Sequence, residues 1–507
     1  MEKRQEVEKK SDATLEEALD AAGSGLYTWY VVITSGLIGF AAVLSIQGMA
    51  FALPKAGCEL QLPYSVRGMM SSMGFFGMLV SAQVFGFIAD TFGRKFVMML
   101  SQSATMVITV LWSLAPNTIT LGIILFLNGA FLTGTFTSAY VYVGEFCPSN
   151  IRAKGLLIMT AMMSTCNIVL PATALVILPL DVHIPIFEGL VFTSWRLYIV
   201  LILIPLSLAM LLLSKLPETP KFLYTAGKHE EALEVIKSIY AVNQKKNKAE
   251  FPITSLSLNS DEINAKIESD GNQFINYFKK MMRDIATLFS KKYVIFTLMS
   301  CFLLFSLVGT CNTLIMWFPE ETNRVMRHFQ TQEIFNVTIC DLMEGSNTAV
   351  SLDCNIKYDF MYAGILLGIA EMTACIIVGL WGLKIDRKIL ICVCSFLTAG
   401  ICFLTVFLAS PYVLIVCLAS MIVLLFTMFP VIVSIIVELF PTQLRSSAAS
   451  LTMTFSRMGS GVGGQILGIL FENHCRAGHF GLTFMVAAAG ILCIFIPTGA
   501  KKNHNKV

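Results

Sequence analysis

The sequence predicts an all-α membrane protein, twelve transmembrane helices arranged as two pseudo-symmetric halves of six. Three observations carry that prediction. The 507 residues are 55% hydrophobic and only 14% charged, with mean hydropathy +0.72, whereas a water-soluble domain carries about 25% charged residues. So much apolar surface finds its solvent in a bilayer. Second, twelve segments reach the roughly 20 mostly apolar residues that a spanning helix needs. Third, EFCPSNIR, Glu145–Arg152, returns as ELFPTQLR, Glu438–Arg445. Each copy reads Glu, two residues, Pro, three residues, Arg, and each follows a long apolar run and precedes another. A chain with that pattern is built twice.

In order, residues 1–26 form a polar, charged tail without the apolar core or cleavage site of a signal peptide, so the first apolar segment serves as an uncleaved signal anchor. The first half, 27–214, holds spans at Tyr27–Ala50, Val66–Ala89, Phe96–Ala115, Thr118–Gly144, Ala153–Leu178 and Ser194–Ser214. A hydrophilic central stretch, 215–292, separates it from the second half, 293–498, with spans at Tyr293–Trp317, Met361–Gly382, Ile389–Ala409, Tyr412–Val437, Ser447–Phe471 and Gly481–Pro497. An exoplasmic loop, 318–360, follows the seventh span, and 499–507 close the chain as a second tail. Within the central stretch, GKHEEALEVIKSIY reads as an amphipathic helix. Further on, Phe274, Phe278, Met281, Ile285 and Leu288 recur at helical spacing with Lys279, Lys280 and Arg283 between them. That pattern fits a helix lying on the inner leaflet, and equally an ordinary helix covering the base of the bundle.

Basic residues orient the chain. With a cytoplasmic N-terminus, the inner connections hold Arg94, Lys95, Arg152, Lys154, Lys384, Arg387, Lys388 and Arg445, and the C-terminal tail adds three lysines. The bias places both termini in the cytosol of a plasma-membrane, vesicle or organelle protein. The sequon at Asn336 then falls outside, in the loop after the seventh span, as a glycosylation site. Cys340 and Cys354 share that loop and are expected to pair in an oxidising compartment. The chain has 14 cysteines, mostly inside apolar runs, with no CxxC pair or zinc spacing. A net charge of +3 gives no case for nucleic acid. No nucleophile with a base, nucleotide loop, metal cluster or cofactor motif appears, so the reading is not an enzyme and not an ATP-driven pump.

Two connections carry mechanism. GFIADTFGRK, Gly86–Lys95, joins the second and third spans, and GLKIDRK, Gly382–Lys388, stands at the same point of the second half. Gly86 and Gly93 supply a tight turn. Asp90 with Arg94 and Lys95, and Asp386 with Arg387, set acids beside bases at the membrane face. Glu145 with Arg152, and Glu438 with Arg445, repeat that arrangement across a proline-marked helix end. Together they read as a conformational latch, holding the inner face shut and breaking when it opens. The competing reading is that these are charges which only fix topology.

GFIADTFGRK resembles the signature loop of the major facilitator superfamily. LPETPKFLYTAGKHEEALEVIK, Leu216–Lys237, following SWRLYIVLILIP, is similar to the branch that holds synaptic-vesicle glycoproteins and organic ion carriers. The likeness covers nearly the whole chain, and the glycosylatable loop after the seventh span points to the synaptic-vesicle-glycoprotein-like members. It implies a carrier of small solutes. Two departures stand out: Asn128 occupies the position where many relatives have an Arg, and the first span offers Ser45 and Gln47 in place of acids. Both bear on proton coupling.

Glu371 in the eighth span and Arg457 in the eleventh are ionisable groups at mid-span, where charge is expensive unless paired or hydrated. Either they pair and fix packing, or Arg457 receives an anionic substrate group as a planar fork. In organic ion carriers, SRMGS resembles the place where anion carriers tend to have Arg. Gln47 and Asn128 are weaker substrate-binding candidates, since an amide in a span more often bonds a neighbouring helix. The reading is therefore a carrier of a small organic solute, leaning to organic anions, with a coupling ion as an added partner. The rival is a non-transporting membrane glycoprotein that binds partners through its loops.

Overall fold

A chain crosses hydrocarbon only by satisfying its backbone hydrogen bonds internally, and each long apolar segment does so as a helix. The computed structural model describes residues 12–187, 190–256, 273–331, 338–344, 358–381, 386–441 and 444–496. Spans one to six are Leu26–Glu59, Tyr64–Phe92, Arg94–Ser113, Thr118–Phe146, Arg152–Ile177 and Ser194–Ser214. The seventh begins as Val294–Leu303, passes a π turn at Leu304–Val308 and continues as Gly309–Thr331. Spans eight to twelve are Phe360–Trp381, Arg387–Thr405, Pro411–Leu439, Arg445–Asn473 and Cys475–Ile494. By length and composition, 11 described helices suit a membrane crossing. The eleventh span has 29 residues, but Arg457 and its run of Ser and Gly lower its hydropathy. The bundle's outside is apolar: Val80 is 68% exposed, Ile119 77% and Phe484 72%, a surface suited to lipid and costly in water.

Several helix starts are capped from far away in the chain. Asn243, at the end of helix His229–Gln244, accepts from the amides of Tyr27 and Thr28 at 3.0 and 3.4 Å and donates to the Gly23 carbonyl. The central stretch is thereby fastened to the beginning of the first span. Orphan amides at a helix start need such acceptors. The tail helix Leu15–Ala22 and a two-residue parallel strand pair, Asp12–Ala13 with Ser255–Leu256, complete this layer. The layer defines a tail-bearing face, on which the Gly86–Lys95 connection also lies. On the opposite face, Arg196 donates to the carbonyls of Ser113 and Ala115 and pairs with Glu59 at 3.6 Å, closing the ends of the third and first spans.

The halves meet chiefly along two seams, the second span on the eleventh and the fifth on the eighth, and the seventh span also touches the first. At the first seam the backbones nearly touch: a Cβ on Gly68 would lie 2.9 Å from the Gly464 carbonyl oxygen and 3.2 Å from Gly468 Cα. Small residues permit that approach.

The structure departs from the sequence reading at helix ends. The first span continues to Glu59, past Ala50, and the seventh continues to Thr331, past Trp317. Glu320 and Glu321, read as loop residues, are buried in that helix at 4% and 1% exposure. The disulfide is also corrected: Cys340 bonds to Cys475. A short helix, Ile339–Glu344, lies against the start of the twelfth span, where Arg476 pairs with Asp341 at 3.1 Å and the two cysteine Cα atoms stand 5.2 Å apart. That spacing suits a disulfide. Cys354 and Asn336 lie outside the described residues. Peptide mapping without reductant should link the Cys340 peptide to the Cys475 peptide. Finding Cys340 joined to Cys354 would contradict this arrangement.

Candidate functional site

Mid-span, the first, fifth and eighth spans bring a line of polar side chains together. Cys166 Sγ donates to Gln47 Oε1 at 3.7 Å and approaches Asn167 Oδ1 at 3.3 Å, and Asn167 Nδ2 donates to Glu371 Oε2. Glu371 is fully buried, and among the described residues its other oxygen has no hydrogen-bond partner. This line crosses the seam between halves. A buried carboxylate without a cation partner is costly, and here a neutral amide is what it meets.

Arg457 lies at the other seam. Its Nη1 donates to the Met78 carbonyl of the second span at 3.4 Å, and among the described residues it forms no ion pair. The Glu371–Arg457 pair weighed from the sequence is absent there. One turn further along the eleventh span, Ser460 Oγ accepts from Asn312 Nδ2 of the seventh at 2.9 Å. Asn128 is not brought to this region. Its amide both donates to and accepts from Ser45, at 3.1 to 3.3 Å, so it joins the fourth span to the first. That use leaves it little capacity for a ligand. Sequence reasoning missed Asn312 and Cys166, whose only signal is a polar or thiol group in an apolar run.

The tail-bearing face holds the charged connections. Asp90 pairs with Arg94 at 3.0 Å, and Arg94 Nε reaches the largely buried Glu145 at 3.5 Å. Arg94 Nη1 also donates to the Ala89 carbonyl. Gly93 has φ +103, a conformation that favours glycine, and a Cβ there would meet the Phe222 ring at 3.1 Å. Glu218, from the LPETP segment, accepts from the Arg94 and Lys95 amides at 3.0 to 3.1 Å and so caps the third span. Thr219 donates to Glu145 at 2.7 Å, and Tyr142 to the Pro217 carbonyl at 2.5 Å. Glu218 and Thr219 escaped the sequence reading, which treated LPETP only as a family mark. Gly86 faces Tyr277 of the central stretch. Arg152 makes a 3.7 Å contact with Glu16 and donates to the Cys147 carbonyl, without reaching Glu145.

In the second half, Arg387 forms a two-pronged pair with Glu438, both distances 2.8 Å, and Asp386 caps the ninth span through the Lys388 amide. Arg445 opens the eleventh span, and among the described residues its Nε has no partner. Both charged sets are held within their own half, and they do not meet in this conformation.

Contacts between the halves gather at mid-span and toward the opposite face. Arg67 pairs with Glu320 at 2.8 Å, with both side chains largely buried. Arg324 joins the same carboxylate at 3.4 Å and stacks over the Tyr64 ring at 4.0 Å. Lys55 donates to Tyr358, and Gln465 to the Ser65 carbonyl. This closure was hidden from the sequence, because Glu320 and Arg324 read as loop charges.

With the geometry in hand, comparisons place the chain among known proteins. A family model described as Major Facilitator Superfamily matches residues 35–464. Synaptic vesicle glycoprotein 2B of Mus musculus is 26% identical over 349 residues, covering 66% of this chain and 50% of that protein. The Homo sapiens protein of the same name is 25% identical over 386 residues, covering 71% and 56%. The chain thus spans about half the length of these curated relatives. Among solved structures, the inward open conformation of the xylose transporter XylE from E. coli superposes with TM-score 0.66 at 14% identity, covering 94% of this chain and 97% of that one. Its partially occluded inward open form gives 0.64 at 15% identity, over 93% and 100%. These likenesses speak to the fold.

Breaking the Arg67–Glu320 pair tests the closure. Removing one member of a buried pair costs roughly 3–5 kcal/mol in the state that contains it. Glu320→Gln is expected to raise maleimide labelling of a cysteine placed at Ser72, buried against Gly464 in the seam, by about tenfold or more. Unchanged labelling would show that the pair does not hold the halves together.

Proposed function

The chain belongs to the Major Facilitator Superfamily, and from that premise we propose that it carries a small organic anion across the bilayer by alternating access. In this reading the substrate binds between the halves at mid-span, with Arg457 receiving its anionic group and Glu371, Asn167 and Gln47 forming the polar wall opposite. The observation that carries the proposal is the state of Arg457. It is a mid-span guanidinium at the seam with one carbonyl contact at 3.4 Å and no carboxylate beside it among the described residues. A permanently charged fork held in low dielectric without a counter-ion is a strong anion receptor. The structural pair that competed with this role is not formed among the described residues, where Glu371 meets Asn167 instead.

The arrangement of contacts supports alternating access. The seam is closed by Arg67–Glu320 at one face, while the acid–base sets of the other face, Asp90–Arg94–Glu145 and Arg387–Glu438, are each satisfied inside their own half. In the proposed cycle these sets approach when the tail-bearing face closes and the Arg67 closure opens. Glu371, mid-span and with one oxygen unpartnered among the described residues, is the carboxyl we assign to take up a coupling proton. Cytosolic termini are supported by cysteine chemistry: Cys340, Cys475 and Cys58 are disulfide-bonded and lie toward the face away from the tail, and disulfides persist in oxidising compartments.

Uptake by proteoliposomes tests the assignment. A charge-assisted contact contributes about 1.5–3 kcal/mol. Arg457→Ala is therefore expected to lower anion uptake at limiting substrate by about 10- to 100-fold. Arg457→Lys should retain part of the activity, because the charge stays and the fork is lost. Adding Glu371→Gln to Arg457→Ala should not restore transport. Full uptake by that double variant, at matched membrane content, would remove Arg457 from the substrate site.

A further inference from the structure

Helix Gln273–Leu288, which leads into the seventh span, presents three separate stripes. One packs on the protein: Leu288 is buried, Met281, Asp284 and Ile285 are partly covered, and Tyr277 stacks edge-on against Phe87 with ring centroids 5.2 Å apart. Asp284 accepts from Ser447 Oγ at 2.9 Å. The helix therefore touches the tail-facing end of the second span and that of the eleventh, one from each half. A second stripe is apolar and uncovered: Ile275, Phe278, Met282 and Phe289 are 43–49% exposed. At 100° per residue these four fall within a narrow arc. The third stripe, adjoining the second, is Lys279, Lys280 and Arg283, all exposed, with Lys291 and Lys292 just beyond.

We infer that this helix is a binding site for anionic phospholipid in the leaflet that meets the tail-bearing face, its apolar stripe inserted among the acyl chains and its bases on the headgroups. Two facts choose lipid as the occupant. The apolar stripe is continuous with the lipid-facing surface of the seventh span, where Ile295 and Leu298 are 64% and 54% exposed. A basic stripe beside an apolar one at the level of the span ends is complementary to an acidic bilayer surface. Phe278, which the sequence pattern grouped with the packed residues, turns outward to the lipid. Because the helix rests on both halves, lipid bound there also bears on the separation of the second and eleventh spans.

The full chain in phosphatidylcholine nanodiscs, with and without phosphatidylserine, provides the test. Each base near an anionic surface strengthens binding about fivefold. Amide hydrogen exchange over residues 273–289 is expected to slow by about tenfold or more when phosphatidylserine is present. The triple variant Lys279→Gln, Lys280→Gln, Arg283→Gln should lose that difference, and Phe278→Ser should speed exchange in both lipids. Equal rates for the unaltered chain in the two lipids would overturn the proposal, as would protection that survives in the triple variant. Equal protection by soluble glycerophosphoserine in neutral discs would also refute it, since a free headgroup would then suffice without the bilayer.

Discussion

The architecture depends on how closely two backbones approach at the seam of the second and eleventh spans. Gly68 against Gly464 and Gly468 leaves no room for side chains, so these helices are in direct contact toward one face. Dispersion and weak backbone contacts drive association here, since lipid tails are as apolar as leucine and no hydrophobic effect separates helix from lipid. In the proposed cycle this contact is where the halves pivot. Near its middle, the Arg457 guanidinium rests on the Met78 carbonyl. A group at that place feels every change in the angle between the halves.

The charged motifs serve the helix ends. In hydrocarbon an orphan amide or carbonyl has no water to turn to, so remote acceptors are drawn in, Glu218 to the third span and Asn243 to the first, while the ninth is capped by its own neighbour Asp386. Glu218 also explains why the PETP turn and the GFIADTFGRK connection occur together. The first supplies the carboxylate and the second supplies the amides, while Gly93 permits a backbone path that brings them within 3.0 Å. Arg94 then links the cap to Glu145 of the fourth span. Three spans and the central stretch are locked at one point, as the first half's rigid movement in the proposed cycle requires.

Much of the fold was legible because the relevant signals are long. Twelve apolar runs and a duplicated eight-residue pattern average over many residues, and neither depends on a single contact. Helix ends were less legible for a physical reason. Glu320 and Arg324 look like loop residues by charge, yet they continue the seventh helix, because Arg67 and Tyr64 from the other half receive them. Partnership across the fold cancels a local signal. The disulfide failed in the same way: proximity in the chain favoured Cys354, whereas the short helix at Ile339–Glu344 delivers Cys340 to Cys475, 135 residues away. At mid-span, Glu371 and Arg457 stood out from the sequence as costly charges, but their partners did not: Asn167 is one of several lone amides in the first-half spans, and a backbone carbonyl carries no mark.

That no carboxylate stands beside Arg457 among the described residues changes what the proposed transport cycle has to do. Had Arg457 been paired with Glu371, an anion would first have had to displace a buried carboxylate, and the exchange would have been nearly neutral in energy. With Asn167 as its partner, Glu371 is held by a neutral donor, and the two charges are separate sites on separate seams. In the proposed cycle a substrate anion at Arg457 neutralises a buried cation, and a proton at Glu371 neutralises a buried anion. Each event lowers the cost of carrying charge through low dielectric. Both events act at the places where the halves touch, so occupancy and conformation are coupled through the same few contacts.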